Sequence, residues 1–131
     1  APDEILYNAA ISACERAQNW QLALALLADM LAESTQPNII TYSAAISACE
    51  KGQQWQNALA LISQARGQGL LPDAIMFNAA VSACEKARQW QRALALFSDM
   101  RRTRVAPSVV TFNALISACG KGRALEQGLR L

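Results

Sequence analysis

A segment of nine residues, Tyr7-Asn8-Ala9-Ala10-Ile11-Ser12-Ala13-Cys14-Glu15, returns three times at a constant step of 35 residues. It recurs as Tyr42 to Glu50, as Phe77 to Glu85 and as Phe112 to Gly120, with no residue inserted or lost between copies. Pro2, Pro37, Pro72 and Pro107 keep the same step. So do Trp20, Trp55 and Trp90, with Leu125 in the fourth place. A fixed period of this length restricts the chain to a stack of like supersecondary units, each burying its apolar face on its neighbours. At 131 residues the length predicts one such domain and no single central core.

Each copy reads as two helices. Tyr7, Ala10, Ile11 and Cys14 fall at i, i+3, i+4 and i+7, one face of a first helix. A polar turn follows, Gln18-Asn19 in the first copy, Gly52-Gln53-Gln54 in the second and Arg88-Gln89 in the third. A second stripe, Trp20, Ala23, Leu24 and Leu27, recurs as Trp90, Ala93, Leu94 and Phe97 and marks a helix packed antiparallel on the first. The connection Gly67 to Asp73 closes the second copy: proline cannot continue the second helix, and the Asp or Asn after it can cap the next one. The tryptophans, lying inside the apolar stripe, read as packing wedges between hairpins. The expected fold is an all-α solenoid of stacked antiparallel hairpins.

Composition excludes several functions. The 53% hydrophobic content is inflated by 26 alanines, which favour helix and close helix approach. The longest apolar stretch, Leu22 to Leu31, is interrupted by Asp29 and falls short of the ~20 residues of a spanning helix, so no membrane insertion is expected. Cys14, Cys49, Cys84 and Cys119 are one repeat apart, unlike the close Cys-x2-Cys pairs of zinc sites. Equivalent positions on stacked hairpins lie about 9 to 10 Å apart, beyond disulfide reach of about 7 Å. All four therefore read as small buried hydrophobes. The chain has no histidine, no Gly-rich phosphate loop and no repeated close carboxylate pair, so neither catalysis nor a cofactor or metal is expected.

The net charge of +2 is unevenly spread. Residues 1–65 carry six acids and two bases, net −4, and residues 66–131 carry ten bases and four acids, net +6. A polyanion would be drawn first to the second half, as would an acidic protein partner. The chain opens with Ala-Pro-Asp and ends inside the second half of a repeat, which reads as a segment of a longer protein.

Helical hairpins near this period fall chiefly into two families. The tetratricopeptide repeat has 34 residues and a Trp-x2-Leu-Gly-x2-Tyr core, neither of which is present. The segments Ile40-Thr41-Tyr42-Ser43 and Val110-Thr111-Phe112-Asn113, together with Pro72-Asp73, instead resemble the pentatricopeptide repeat, and the likeness spans nearly the whole chain. Some members carry a deaminase-like domain with a His-x-Glu and Cys-x2-Cys signature, absent here.

The resemblance implies an all-α, right-handed α-solenoid of about 3.5 repeats, running 4–38, 39–73 and 74–108 with a partial copy over 109–131. It also implies binding of single-stranded RNA at roughly one base per repeat. The fifth residue of a repeat then faces the base edge and the last residue assists. These positions are Asn8 with Asn38, Ser43 with Asp73, Asn78 with Ser108, and Asn113 alone. The amides and hydroxyls at these places can donate and accept hydrogen bonds. The family's code associates these pairs with a pyrimidine, guanine and cytosine in turn, giving an expected preference of 5′-pyrimidine-G-C-pyrimidine-3′. By the same resemblance Ile5, Ile40, Ile75 and Val110 pack between bases, although packing at the helix start would also explain them. Arg16, Lys51, Lys86 and Lys121 contact phosphate, although the helix C-terminal dipole favours cations there too. Glu15, Glu50 and Glu85 dilute that basic column.

Two functions follow: an RNA-binding module in organellar transcript processing or stability, or a scaffold whose concave face binds protein subunits of a larger organellar assembly. Plastid or mitochondrial localisation is implied by the family alone.

Overall fold

The computed structural model describes residues 2–121, without the side chains of Pro2, Cys119 and Lys121. The equivalence of Leu125 to the tryptophans, and the rest of the fourth copy, lie outside the described residues. Seven helices occupy this range and it holds no strand: α1 (Pro2–Arg16), α2 (Trp20–Ala32), α3 (Ile39–Lys51), α4 (Trp55–Gly67), α5 (Ala74–Lys86), α6 (Trp90–Arg102) and α7 (Val109–Lys121). The odd-numbered helices are the first helices of successive hairpins and the even-numbered ones the second.

Among the described residues the connections after α1 to α6 are built alike. At the first corner Asn19 N–H donates to the Cys14 carbonyl at 2.9 Å and Gln18 N–H to that of Glu15 at 3.2 Å, a Schellman cap. The same pair of bonds recurs at Gln53-Gln54, Arg88-Gln89, Ser34-Thr35, Gly69-Leu70 and Arg104-Val105. Such a cap needs one residue with left-handed backbone, and Gln18, Ser34, Gln53, Arg88 and Arg104 adopt φ of 58–62°. Only Gly69, at φ 84°, fills the position with glycine. Gly67, expected from sequence to begin the break, is the last residue of α4; the break begins one residue later. Asn38 and Asp73 cap α3 and α5 from their side chains, accepting from Thr41 N–H and Met76 N–H at 3.0 Å each. The sequence-predicted capping role of these residues is thus realised.

Helices α1, α3, α5 and α7 pack in an unbroken row, and each even helix packs on its own partner and on the next odd helix. Among the described residues the even helices do not approach one another directly. Side chains bridge them instead, with Arg66 to Asp99 at 3.5 Å and the Arg92 guanidinium over the Trp55 ring at 5.7 Å. A row that is close on one side and spread on the other curves, with the odd helices on the inner face. Ala45, Ala48, Ala80 and Ala83 are fully buried on α3 and α5, and small side chains of this kind permit close helix approach. Beside them Tyr42, Phe77, Ile46 and Val81 fill the space between hairpins, each contributing about 2 kcal/mol by burial.

Trp20 acts as the expected wedge. Trp20 packs so closely on the next corner that a Cβ at Gly52 would stand 2.2 Å from its ring. Cys14, Cys49 and Cys84 are buried free thiols. Burial pushes the Cys49 and Cys84 thiols up to about 11. Since only the thiolate reacts with an electrophile, both cysteines should be alkylated at pH 8 about a hundredfold more slowly in the folded chain than in urea, as followed by mass spectrometry. Equal rates in the two states would contradict this packing.

Candidate functional site

The inner face exposes the first turns of α1, α3, α5 and α7, and the repeat places equivalent residues along it in register. Ile5, Ile40, Ile75 and Val110 are 70, 62, 63 and 62% exposed. That excludes packing at the helix start as the reason for them. Four branched apolar side chains therefore stand in water at one per repeat, as surface whose burial by a ligand would be favourable.

Between Ile40 and Ile75 lies a groove of about 320 Å³, lined also by Ser43, Asp73, Ser47, Ser12 and Glu15. Four residues predicted from the sequence, Ile40, Ser43, Ile75 and Asp73, thus share one concavity. Asp73 uses Oδ1 to cap α5, and Oδ2 has no hydrogen-bond partner among the described residues. Ser43 Oγ, shielded from solvent, also lacks a partner. The groove therefore presents an uncommitted carboxylate oxygen between two apolar walls, with the unpartnered Ser43 hydroxyl just beneath its surface. It can take a flat, polar-edged group.

The other predicted readers are more constrained. Asn8 Oδ1 accepts from the Thr41 hydroxyl, and Asn78 Oδ1 accepts from that of Thr111. Asn38 is committed on both sides of its amide, Oδ1 to Thr41 N–H and Nδ2 to Glu4 Oε1 at 3.1 Å. Ser108 accepts from Thr111 N–H at 3.4 Å and is exposed, as is Asn113.

The cation column does not stand free. Lys51 is ion-paired with Glu15 and Lys86 with Glu50, each glutamate belonging to the preceding hairpin. Ser82 adds a hydrogen bond to Glu50 at 3.4 Å. Such partly exposed pairs are worth at most about 1 kcal/mol each, and a phosphate can compete for these lysines only by sharing them. Arg16 has no ion pair among the described residues, and the Lys121 side chain lies outside them. The sequence reading set glutamate beside cation within one repeat; the 36-residue offset between the two columns is the signal for the pairing across repeats. It likewise passed over Thr41 and Thr111, whose column, Leu6, Thr41, Met76, Thr111, the period makes visible.

The profile of the Pentatricopeptide repeat domain matches residues 60–122, and that of the PPR repeat family matches residues 2–51. The chain belongs to the pentatricopeptide repeat family. The chain is similar to the pentatricopeptide repeat protein PPR10 from maize, at 30% identity over 94% of this chain with a TM-score of 0.79. Against the PPR10 structure in complex with an 18-nt psaJ RNA element the figures are 30%, 95% and 0.80. In both cases this chain spans 18% of PPR10. The PPR domain of Arabidopsis thaliana protein-only RNase P 1, in complex with tRNA, shares the fold, with a TM-score of 0.85 over 97% of this chain and 67% of that one, at 15% identity. None of the curated proteins matches significantly.

Capping and any reading of a ligand by Asp73 are separable. Asp73→Ala should destabilise the chain by about 1 kcal/mol through loss of the cap on α5, whereas Asp73→Asn, which retains a capping oxygen, should stay within a few tenths. Urea melts followed by circular dichroism measure both, and equal losses would contradict this assignment.

Proposed function

We propose that this chain is a sequence-selective module for single-stranded RNA that takes about one base per repeat and performs no catalysis. The observation that carries the reading is the groove of about 320 Å³ walled by Ile40 and Ile75 and floored by Ser43 and Asp73. A base inserted between the two aliphatic side chains would cover apolar surface now in water and bring its edge to an uncommitted carboxylate oxygen and hydroxyl. Guanine fits this pair: its N1–H and N2–H donors match the Asp73 carboxylate, and the Ser43 hydroxyl can donate to an acceptor on the ring. The RNA-bound structures of PPR10 and of the RNase P relative support the ligand class.

Asn8, Asn78 and Asn113 would read the flanking bases, giving a preference of 5′-pyrimidine-G-C-pyrimidine-3′. Arg16, Lys51, Lys86 and Lys121 would share the phosphates, the middle two in competition with Glu15 and Glu50. By family, we place the module in plastid or mitochondrial transcript processing or stability.

Fluorescence anisotropy with short single-stranded RNAs tests this. Four shared phosphates predict a log-log salt slope near −3, at ~0.7 per phosphate. Replacing guanine at the second base should weaken binding to the wild type about tenfold, the scale of one or two hydrogen bonds to a charged acceptor, and Asp73→Asn should erase that difference while leaving stability unchanged. Equal affinity for matched and scrambled RNA would refute the base preference. No binding at low salt would refute the RNA reading and favour a protein occupant of the groove.

A further inference from the structure

Thr41 and Thr111 are the two fully buried threonines among the described residues, and each reaches back across a repeat boundary to the asparagine of the preceding hairpin. Their bonding is over-determined in the same way at both places. The Thr41 hydroxyl accepts from Asn38 N–H at 3.1 Å, and the Thr111 hydroxyl accepts from Ser108 N–H at 3.1 Å. A hydroxyl has one proton to give. For Thr41 the two acceptors in reach are Asn8 Oδ1 and, at 3.0 Å, Asn38 Oδ1, which already takes Thr41 N–H. The nearer is Asn8. With Oδ1 of Asn8 and Asn78 held by a buried hydroxyl, the NH2 of each amide has no protein partner among the described residues and is left as a pure donor.

The middle repeat differs in both members of the pair. Where the period would put a third hydroxyl stands Met76, fully buried and unable to donate, and the reader one repeat earlier is Ser43, whose Oγ has no partner. Asparagine thus occurs with threonine in the following repeat, and serine with methionine.

We propose that Thr41 and Thr111 are positioning residues that set base specificity for the preceding repeat. They orient the amides of Asn8 and Asn78 so that each presents its NH2 to a base acceptor such as pyrimidine O2, and Met76 leaves Ser43 free to rotate. Specificity is then written across the repeat boundary, and a reader transplanted without its key is incompletely specified. This rests on the RNA reading above.

The decisive experiment is where the loss of discrimination falls. In Thr41→Val the pyrimidine-over-purine ratio should drop about fivefold, the scale of one hydrogen bond, at the first base and not at the second or third. Thr111→Val should do the same at the third base alone. Thr→Ser at either position should retain discrimination. Ser43→Asn should become a good pyrimidine reader at the second base only together with Met76→Thr. If Thr41→Val instead weakens every base equally, alters the base of its own repeat, or leaves the first base unchanged, the proposal fails; melting curves keep a folding defect apart from these outcomes. A second readout is independent of RNA. The Asn8 side-chain amide resonances should show a rigid group in the wild type and Thr41→Ser and a mobile one in Thr41→Val, with Asn78 unaffected. An Asn8 amide indifferent to the substitution would overturn the proposal even in a chain that binds no RNA.

Discussion

The close packing of the odd-numbered helices is the constraint on which the rest depends. Ala45, Ala48, Ala80 and Ala83 remove side-chain bulk from the seam, so successive helices approach with their first turns in line. Larger residues there would spread the row and flatten its curvature, since interaxial distance follows the side chains at the contact. Alignment of the first turns is what puts a residue of one repeat within hydrogen-bond reach of its neighbour. The threonine-asparagine bonds and the lysine-glutamate pairs are both consequences of it.

The repeat economises on chemistry by making each element serve twice. Asn38, Asp73 and Ser108 close the helices that follow them and also stand at the edge of the inner face. Capping consumes one oxygen, so only a carboxylate keeps a second one available; an amide holds its other end as NH2, which Asn38 spends on Glu4. These three residues look interchangeable in a list of polar side chains. Their hydrogen-bond inventories make them different recognition groups. A similar double use governs the cations, whose charge completes the inter-repeat ladder with Glu15 and Glu50 before any phosphate arrives.

Much of the fold was legible before any coordinates, because period and helical spacing are properties of the chain itself. The stripes Tyr7-Ala10-Ile11-Cys14 and Trp20-Ala23-Leu24-Leu27 gave the hairpin, and Asn38 and Asp73 gave the caps. The left-handed corners at Gln18, Gln53 and Arg88 were located as turns but not recognised as strained, since nothing in a glutamine or arginine advertises positive φ. Of the site, the columns were legible and their states were not. Ile5, Ile40, Ile75 and Val110 could have been core or surface until their exposure was known.

The sequence by itself determined the unit, its length, its two helices and the columns of residues that recur on it, because these follow from covalent order and local periodicity. Only the tertiary structure decided which members of different columns meet. Thr41 finds Asn8, and Lys51 finds Glu15, across separations of 33 and 36 residues. Such meetings depend on the rise and rotation from one hairpin to the next, a quantity fixed by how the buried side chains pack between them.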